Sequence, residues 1–415
     1  MDHPTTDSAP KGVGWEGPPV EYLAGEQPRS EVAAGIGICV SGGGYRAMLY
    51  HLGAYWRLGE LGLLGRARRI SSVSGGSIVS GKLALEWTKL GLTPEDTPRP
   101  IPEPFVELVV QPIRKLASTT IDVWPSLLSG ACLANAGRMI ASKYDTHLFH
   151  GATLQDLPDD SLARGAIGSG PKFVINATNL RTGVLWRFSR AYMADYTVGL
   201  VPKPRVSLAL AVASSSAFPP LLSPVNLELV PSSFEVDTGF APQNAHARDR
   251  AILTDGGVYD NLGMETVWKR CRTVFVSDAG GGAEFWDPRA SRNWLRQLWR
   301  VFWVQRQQVG GLRRRQLMGA YTPLAKPGDG ADPWWRHGSF WSIATPIDKY
   351  GARNATPIPE QETLEIAQTP VRLKAMPAAL QERLINWGYA SCDASVRRWY
   401  DPSLPQPAGL PYKPH

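Results

Sequence analysis

Three glycine-rich turns constrain this chain more than any other feature, because each one directly follows an apolar segment typical of a buried strand. They are Gly-Gly-Gly at residues 42–44, Ser-Gly-Gly at 74–76 and Asp-Gly-Gly at 255–257. Apolar residues at helical spacing follow the first two turns. Two consecutive strand–turn–helix units predict a parallel sheet covered by helices.

The remaining patterns extend this prediction to a three-layer α/β/α fold with a central, mostly parallel sheet. A small-residue helix is predicted at 206–216, where a proline pair ends it. The predicted strands lie at residues 33–40, 69–73, 172–176, 184–188, 251–254 and 273–277.

The domain organisation is predicted from the distribution of prolines and of regular patterns. Residues 1–30 and 401–415 are rich in proline and are expected to form irregular arms around a single domain at 31–400. Residues 91–170 contain prolines and few clear strands, which indicates a cap or insertion. A helical extension is expected from about residue 284.

Composition limits the class of protein. With 43% hydrophobic and 20% charged residues, the 415-residue chain is globular and is neither disordered, collagen-like nor a coiled coil. Its four cysteines are widely separated, without a C-x-x-C pair, and favour neither a zinc site nor a disulfide framework. The N-terminus lacks a signal-peptide pattern, and no apolar run is long enough to span a bilayer. We therefore expect a cytoplasmic protein whose membrane contact, if any, is peripheral.

The three turns together supply the groups that acyl transfer requires. Turns at the carboxyl ends of parallel strands gather at one edge of the sheet, together with the unpaired N–H groups of helix N-termini. Ser74 has the position of a nucleophile on a sharp strand-to-helix turn, although Ser72 replaces the first glycine of the usual G-x-S-x-G pattern. Ser72 is expected to crowd the start of the helix. A plain Ser-Gly-Gly turn is the structural alternative.

Residues 42–44 offer backbone N–H groups to a developing oxyanion. The same residues, with Tyr45, Arg46 and Ala47, also match the dinucleotide pattern G-x-G-x-x-A. That alternative requires an acidic residue at the end of the next strand, whereas Glu60 falls on the intervening helix. The dinucleotide interpretation is therefore disfavoured.

Asp255 belongs to a turn type in which most aspartates bond only their own backbone. In a dehydrated pocket, however, the pKa of a carboxylate that is hydrogen-bonded to a serine rises, and the carboxylate can then act as a base. A serine–aspartate dyad is therefore chemically feasible.

Five segments in this order resemble the patatin-like phospholipases, over about residues 35–279. They are GICVSGGGYRAMLYHLG, ISSVSGGS, PKFVINATNLRTG, LALAVASSSAFPP and TDGGVYDNLG. The resemblance implies lipid acyl ester hydrolysis of the phospholipase A, lysophospholipase or esterase type, with no cofactor or metal. It further implies Ser74 as nucleophile, Asp255 as its base and Gly42, Gly43 and Gly44 as the oxyanion hole. Arg46 is implied to hold the oxyanion loop or to contact a phosphate.

Two alternatives to this function remain open at this stage. A conventional triad would add His337 to Ser74 and Asp255, although a histidine in that tryptophan-rich segment is more typical of an exposed or stacked loop residue. The other alternative is a catalytically inactive protein that binds lipid surfaces. His147 and His150, three residues apart, lack further metal ligands.

A basic, aromatic segment follows the catalytic motifs. The net charge of +7 favours an anionic partner, and residues 281–320 contain eight arginines against two acidic residues. An amphipathic helix at about 292–318 is predicted to contact an anionic membrane peripherally, and no motif supports nucleic-acid binding. The alternative is a helix packed on the core with a solvated basic face. In both interpretations the apolar side of the helix consists of Trp294, Leu295, Leu298, Trp299, Phe302, Val309 and Leu312.

Overall fold

The computed structural model describes residues 33–121, 136–163, 165–220, 222–236, 238–239, 245–280, 293–322 and 335–413. The predicted N-terminal arm at 1–30 lies outside the described residues. In the predicted C-terminal arm, residues 401–413 form turns and bends without a helix or strand.

The described part of the structure contains ten strands, numbered here in chain order. Every strand predicted from the sequence is present, extended by up to three residues at an end. The strands are β1 (Ala33–Val40), β2 (Ala67–Val73), β3 (Lys172–Asn179), β4 (Val184–Phe188), β5 (Tyr192–Asp195), β6 (Gly199–Pro202), β7 (Val225–Glu228), β8 (Arg250–Asp255), β9 (Cys271–Asp278) and β10 (His337–Ser342).

The helices α1 and α2 alternate with the strands β1 and β2, and α3, α4 and α5 then follow one another before β3. A π-helical stretch at Val106–Val110 joins α3 to α4, so the predicted cap at 91–170 is mainly helical where it is described. The helices are α1 (Gly44–Glu60), α2 (Gly75–Glu86), α3 (Glu103–Phe105), α4 (Gln111–Ala117), α5 (Ala136–Tyr144), α6 (Leu208–Ser215), α7 (Gly257–Asp260), α8 (Glu265–Trp268), α9 (Trp294–Tyr321), α10 (Glu360–Ala367) and α11 (Ala378–Trp399).

All ten strands belong to one sheet. Its main path has the order β10-β9-β1-β2-β3-β4-β5-β6, and the strands from β10 to β3 along this path run parallel. The strands beyond β3 pair antiparallel. The predicted central, mostly parallel sheet is therefore confirmed, with an antiparallel extension on one side.

One edge of β3 is shared by two strands, and this places the candidate site. The first part of β3 pairs with β2 as far as Val73 opposite Asn176. The next residue, Ala177, is already opposite Asp255 in β8. The ends of β2 and β8 therefore meet on the same side of β3, although they are far apart in sequence.

Helices cover both faces of the sheet and complete the three layers. The larger core lies on the face covered by α1, α2, α6 and α11, and α1 packs along α11. The smaller core on the opposite face includes Val267 of α8 and Leu317 and Ala320 of α9. The described part after residue 284 is not helical alone, because it also contributes β10 to the sheet.

Candidate active site

Ser74 occupies a sharp turn between β2 and α2 in a backbone conformation that L-residues rarely adopt. Its φ and ψ angles are 51° and −121°, and it directly precedes the first residue of the helix. Conformations of this kind cost on the order of 1–3 kcal/mol and persist where the surrounding structure enforces them. The Ser74 side chain thus lies at the carboxyl end of β2, which is the position that the sequence analysis predicted for it.

The turn is possible because the residue after Ser74 has no side chain. A Cβ atom on Gly75 would lie only 2.0 Å from the carbonyl oxygen of Gly44. Any other residue would push the turn away from residues 42–44, the glycine loop that follows β1. The turn around Ser74 and the glycine loop are therefore in direct backbone contact.

The sequence suggested that Ser72 would crowd the start of α2. In the structure its side chain fits there through hydrogen bonds. The hydroxyl of Ser77, in the first turn of α2, donates to Oγ of Ser72 at 3.0 Å. Ser72 itself donates to the carbonyl oxygen of Val174 at 3.4 Å. The departure from the usual motif is accommodated by hydrogen bonds, because a buried hydroxyl needs partners.

Ser215, at the end of α6, supports the turn from below, and the sequence analysis assigned it no role. Its Oγ accepts the backbone N–H of Ser74 at 3.0 Å and donates to the carbonyl oxygen of Asn176 at 2.6 Å. The position of Ser74 is thus fixed to both α6 and β3. The signal in the sequence was the serine run at the end of the predicted small-residue helix.

Asp255 ends β8, and its carboxylate lies close enough to the Ser74 hydroxyl for that group to lower its pKa. Its Oδ1 accepts the backbone N–H of Gly257 at 2.7 Å, and the residue is 2% exposed. Burial raises the pKa of Asp255, and the hydrogen bond from Ser74, the charge of Arg306 and the Gly257 N–H partly oppose this rise. The structure thus brings together the two predicted catalytic side chains.

The glycine loop offers two unused backbone donors beside Ser74. The N–H of Gly42 donates to the carbonyl oxygen of Asn261 at 3.1 Å and is therefore already used. The N–H groups of Gly43 and Gly44 have no hydrogen-bond acceptor within the described ranges. Both residues have positive φ angles, 146° and 58°, which favour glycine. A Cβ on Gly42 would lie 3.0 Å from Cβ of Ser74, so the loop borders the nucleophile position.

Arg46 lies in the first turn of α1, two residues after the glycine loop, and is directed into the protein. Its guanidinium donates to the carbonyl oxygens of Ala279, Ala367 and Thr369, each at 2.8 Å, and the residue is buried. Of the two roles implied by the resemblance, these contacts favour holding the loop over contacting a phosphate.

His51 supports the same loop and was not singled out in the sequence. Its ring nitrogens contact Oγ of Ser277 at 2.8 Å and the carbonyl oxygen of Ser41 at 3.0 Å. Burial lowers the pKa of His51 to about 3, so its ring is neutral near pH 7. It joins the ends of β1 and β9 beneath the glycines.

Comparison with known proteins identifies the family. A family model described as patatin-like phospholipase matches residues 38–268, which is more than half of the chain. The chain belongs to the patatin-like phospholipase family. The resemblance deduced from the five sequence segments is confirmed.

Solved structures similar to this patatin-like chain include human GIVD cytosolic phospholipase A2, with 16% identity and a TM-score of 0.46 over 87% of this chain and 58% of that one. The same human protein in complex with methyl gamma-linolenyl fluorophosphonate gives 15% identity and a TM-score of 0.47, covering 87% and 57%. VipD from Legionella pneumophila gives 15% identity and a TM-score of 0.33, covering 87% and 66%. The chain thus spans less than two thirds of these proteins. No curated protein sequence matches it.

His337 lies at the opposite edge of the sheet from the candidate site of this patatin-like chain. It begins β10 and pairs with Thr273 near the start of β9, whereas Ser74 and Asp255 lie at the carboxyl ends of their strands. Its ring is stacked on Trp335, with centroids 6.0 Å apart. The stacked role expected for this histidine agrees with the structure, and the proposed triad does not.

The basic, aromatic segment forms α9, a helix of 28 residues that rests over the candidate site. Arg306 Nη2 donates to Oδ1 of Asn261 at 2.8 Å, and the ring of Phe218 lies 6.0 Å from that of Trp299. Within the described residues no helix is both long and apolar enough to cross a bilayer.

The sequence analysis gave an alternative in which the apolar side of α9 packs on the core and its basic side faces solvent. The structure shows a different orientation of the helix. Arg313 pairs with Glu265 at 2.6 Å and Arg314 with Asp278 at 2.9 Å, so part of the basic side faces the protein. Much of the apolar side faces solvent, including Trp294, Leu295 and Leu298, which are 70%, 57% and 61% exposed. The core-packed interpretation with a solvated basic face is therefore wrong.

Proposed function

We propose that this patatin-like chain hydrolyses acyl ester bonds of phospholipids or related lipids through an acyl-Ser74 intermediate. The observation that carries the proposal is one constellation. Ser74 on its strained turn lies next to the buried Asp255, whose pKa its hydroxyl lowers, and beside the unused N–H groups of Gly43 and Gly44. A nucleophile, a base and oxyanion donors are the groups that acyl transfer needs.

In the first half of the proposed reaction, Ser74 Oγ attacks the ester carbonyl carbon while its proton moves to the carboxylate of Asp255. The N–H groups of Gly43 and Gly44 stabilise the negative oxygen of the tetrahedral intermediate. Each such donor is worth ~10²–10³ in rate. The carbon–oxygen bond to the leaving alcohol then breaks, and the alcohol oxygen takes the proton from Asp255, which leaves an acyl ester on Ser74.

In the second half, a water molecule attacks the acyl ester and gives a proton to Asp255. Collapse of the second tetrahedral intermediate returns that proton to Ser74 Oγ and releases the fatty acid. A carboxylate can serve as this base because burial raises the pKa of Asp255 and so increases its affinity for the proton. General-base assistance contributes typically ~10²–10⁴ in rate.

The same proposal includes peripheral contact with a lipid surface through α9. The helix rests over the candidate site, and its exposed side holds apolar residues instead of arginines alone. Tryptophan and leucine side chains on an interfacial helix insert at the boundary between headgroups and acyl chains. A lipid surface is therefore the partner that we propose for this exposed side.

Replacing Ser74 by alanine tests the function. We expect Ser74→Ala to lose fatty-acid release from phospholipid and labelling by a fluorophosphonate probe, because both need the Oγ nucleophile. His337→Ala is the control, and it should keep near-normal turnover because that ring lies at the other edge of the sheet.

Intact labelling and turnover of a folded Ser74→Ala protein would overturn the assignment. A loss of several orders of magnitude in His337→Ala would instead support a triad. If the wild-type protein binds vesicles in a salt-sensitive way but is neither labelled nor active, the alternative of an inactive lipid-binding protein is correct.

A further inference from the structure

Two buried N–H donors on the inner side of α9 have no acceptor in the described part of the chain. They are Nε of Arg306 and Nε1 of Trp303. The guanidinium carbon of Arg306 lies 4.9 Å from the centre of the Trp303 ring, so the two side chains are in contact. Buried donors are normally paired, because a donor that loses water without gaining an acceptor destabilises the fold. A pair of such donors in one place indicates a binding position for an acceptor.

The charge of Arg306 is also left without a direct counter-ion within the described residues. Its Nη2 donates to the neutral amide oxygen of Asn261, and the guanidinium lies over the ring of Phe218 at 5.4 Å. The carboxylates of Asp255 and Asp278 influence it electrostatically but form no ion pair with it. A permanently charged group held in this way favours an anionic ligand.

The location of Arg306 connects this ligand to the substrate. Asn261 accepts Arg306 through Oδ1 and accepts the N–H of Gly42 through its carbonyl oxygen. A Cβ on Gly257, two residues after Asp255, would lie 2.4 Å from the same Oδ1. One residue therefore joins Arg306 to the glycine loop and to the turn that carries Asp255.

Resting on the proposed function, we infer that Arg306 and Trp303 bind the phosphate of a phospholipid substrate next to the scissile ester. Arg46 is unsuited to this role, because its guanidinium already serves three carbonyl oxygens. A phosphate offers several anionic oxygens, which match the fork of an arginine together with an indole N–H. Arg306 and Trp303 are then determinants of specificity for phospholipids over uncharged acyl glycerols.

Two short-chain substrates that differ only in the phosphate headgroup separate binding from chemistry. The probes are dihexanoyl phosphatidylcholine and dihexanoylglycerol, used as monomers at the pH at which the wild-type kcat/KM for the glyceride no longer changes with pH. Arg306→Gln should lower kcat/KM for the phospholipid by ~10- to 100-fold, as expected for a lost charge-assisted hydrogen bond. Its kcat/KM for the glyceride should stay within about threefold.

Conservative variants sharpen the test. Trp303→Phe keeps the ring but removes the N–H, and should lower kcat/KM for the phospholipid alone by ~3- to 10-fold. Arg306→Lys should restore part of the loss, because it keeps the charge without the fork. Arg66→Gln, which removes an exposed arginine between α1 and β2, should leave both substrates unaffected.

Equal losses on both substrates in Arg306→Gln would overturn the inference, since Arg306 would then only position α9 or the dyad. Unchanged phospholipid kinetics would also overturn it. Inhibition by hexanoate distinguishes the phosphate from a product carboxylate, and should be the same in Arg306→Gln as in wild type. A wild-type protein that cleaves neither substrate and is not labelled at Ser74 would contradict the proposed function instead.

Discussion

In the proposed reaction Asp255 must lose its proton before it can act as the base, and burial makes that loss harder by raising its pKa. Burial is the largest influence on its pKa and raises it. The hydrogen bond from Ser74, the charge of Arg306 and the N–H of Gly257 stabilise the carboxylate and limit the rise. The phenol of Tyr144 lies near enough to interact with the charge of Asp255; burial, and to a smaller extent that charge, raise the pKa of Tyr144. The working pH range therefore depends on this balance.

The pH profile provides a direct test at the scale of this residue. Because only the ionised carboxylate can take the proton of Ser74, kcat/KM for an uncharged ester should fall tenfold per pH unit below the pKa of Asp255. This acid limb should lie above the ordinary aspartate value of about 4. Arg306→Gln should move the limb to higher pH, because a nearby positive charge is lost.

Activity that stays constant down to about pH 4 would contradict the raised pKa of Asp255. A limb that does not move in Arg306→Gln would show that this arginine exerts little influence on the carboxylate. The pH at which the folded protein begins to unfold has to be measured alongside, by near-UV circular dichroism of the same samples.

Single residues of the site differed in how far the sequence revealed them. Ser74 and Asp255 were predictable because the glycines that force their turns are adjacent in sequence. The partners of Arg46 are the carbonyl oxygens of Ala279 and of two residues near 368, all more than 200 positions away. Backbone carbonyl groups carry no sequence signal, so the residues alone indicated neither these partners nor the bond from Gly42 to Asn261. A loop-holding role for Arg46 was implied only by the family resemblance.

At the scale of elements, α9 combines an anchored end with an end that rests on the site. Its C-terminal part is held by Leu317 and Ala320 in the smaller core and by the hydroxyl of Tyr321, which donates to the carbonyl oxygen of Val274 at 2.6 Å. The N-terminal part contacts the body of the protein through Trp299 and Phe302 against Phe218. Most of the exposed apolar residues of α9 lie in this N-terminal part.

Replacing Leu298 by aspartate tests the lipid contact of α9. The change removes an exposed apolar side chain that is worth roughly 1.5–3 kcal/mol when it becomes buried. Binding to vesicles of mixed zwitterionic and anionic phospholipids, measured by sedimentation, should weaken at least ~10-fold. Leu364→Asp on α10 is the matched control, because Leu364 is also exposed and should leave binding unchanged.

Equal weakening by Leu298→Asp and Leu364→Asp would mean that a change of net charge, and not the surface of α9, determines vesicle binding. No weakening in either variant would place the lipid contact elsewhere. Turnover of a monomeric ester should remain near the wild-type level in both, because neither side chain contacts Ser74 or Asp255.

The amphipathic pattern predicted that α9 exists, but not which side faces the protein. Periodicity separates apolar from basic residues and says nothing about the partner surface. The inward orientation follows from Glu265 and Asp278, which pair with Arg313 and Arg314. These acids are positioned by β9 and α8, so the orientation depends on the complete fold. Similarly, the sequence analysis predicted neither the four-residue strands β5, β6 and β7 nor the six-residue β10.

At the scale of the whole molecule, a buried charge cluster joins the first helix to the last. Arg57 of α1 pairs with Asp393 of α11 at 2.8 Å, and Arg397 pairs with the same carboxylate at 2.7 Å. Tyr50 and Ser391 add a hydrogen bond of 2.7 Å between these helices. The C-terminal region thus stabilises the layer that positions the glycine loop.

Removing the charge of Asp393 should therefore destabilise the protein. Asp393→Asn leaves two buried arginines without their common partner, which typically costs about 3–5 kcal/mol. Urea unfolding followed by tryptophan fluorescence should show this loss. Asp348→Asn is the control, because its ion pair with Lys349 is exposed and should be worth less than about 1 kcal/mol. Similar stability of the two variants would contradict the role of the cluster.

The shared edge of β3 has a consequence for how such a protein can diversify. Since β2 and β8 are both aligned by the same strand, the spacing between Ser74 and Asp255 is independent of the length of chain that connects them. Insertions or deletions in that connection can reshape the walls around a substrate while the reacting atoms keep their separation. Under the proposed function, new acyl-chain preferences can therefore arise by changes in loop length alone, with no compensating substitution at Ser74 or Asp255.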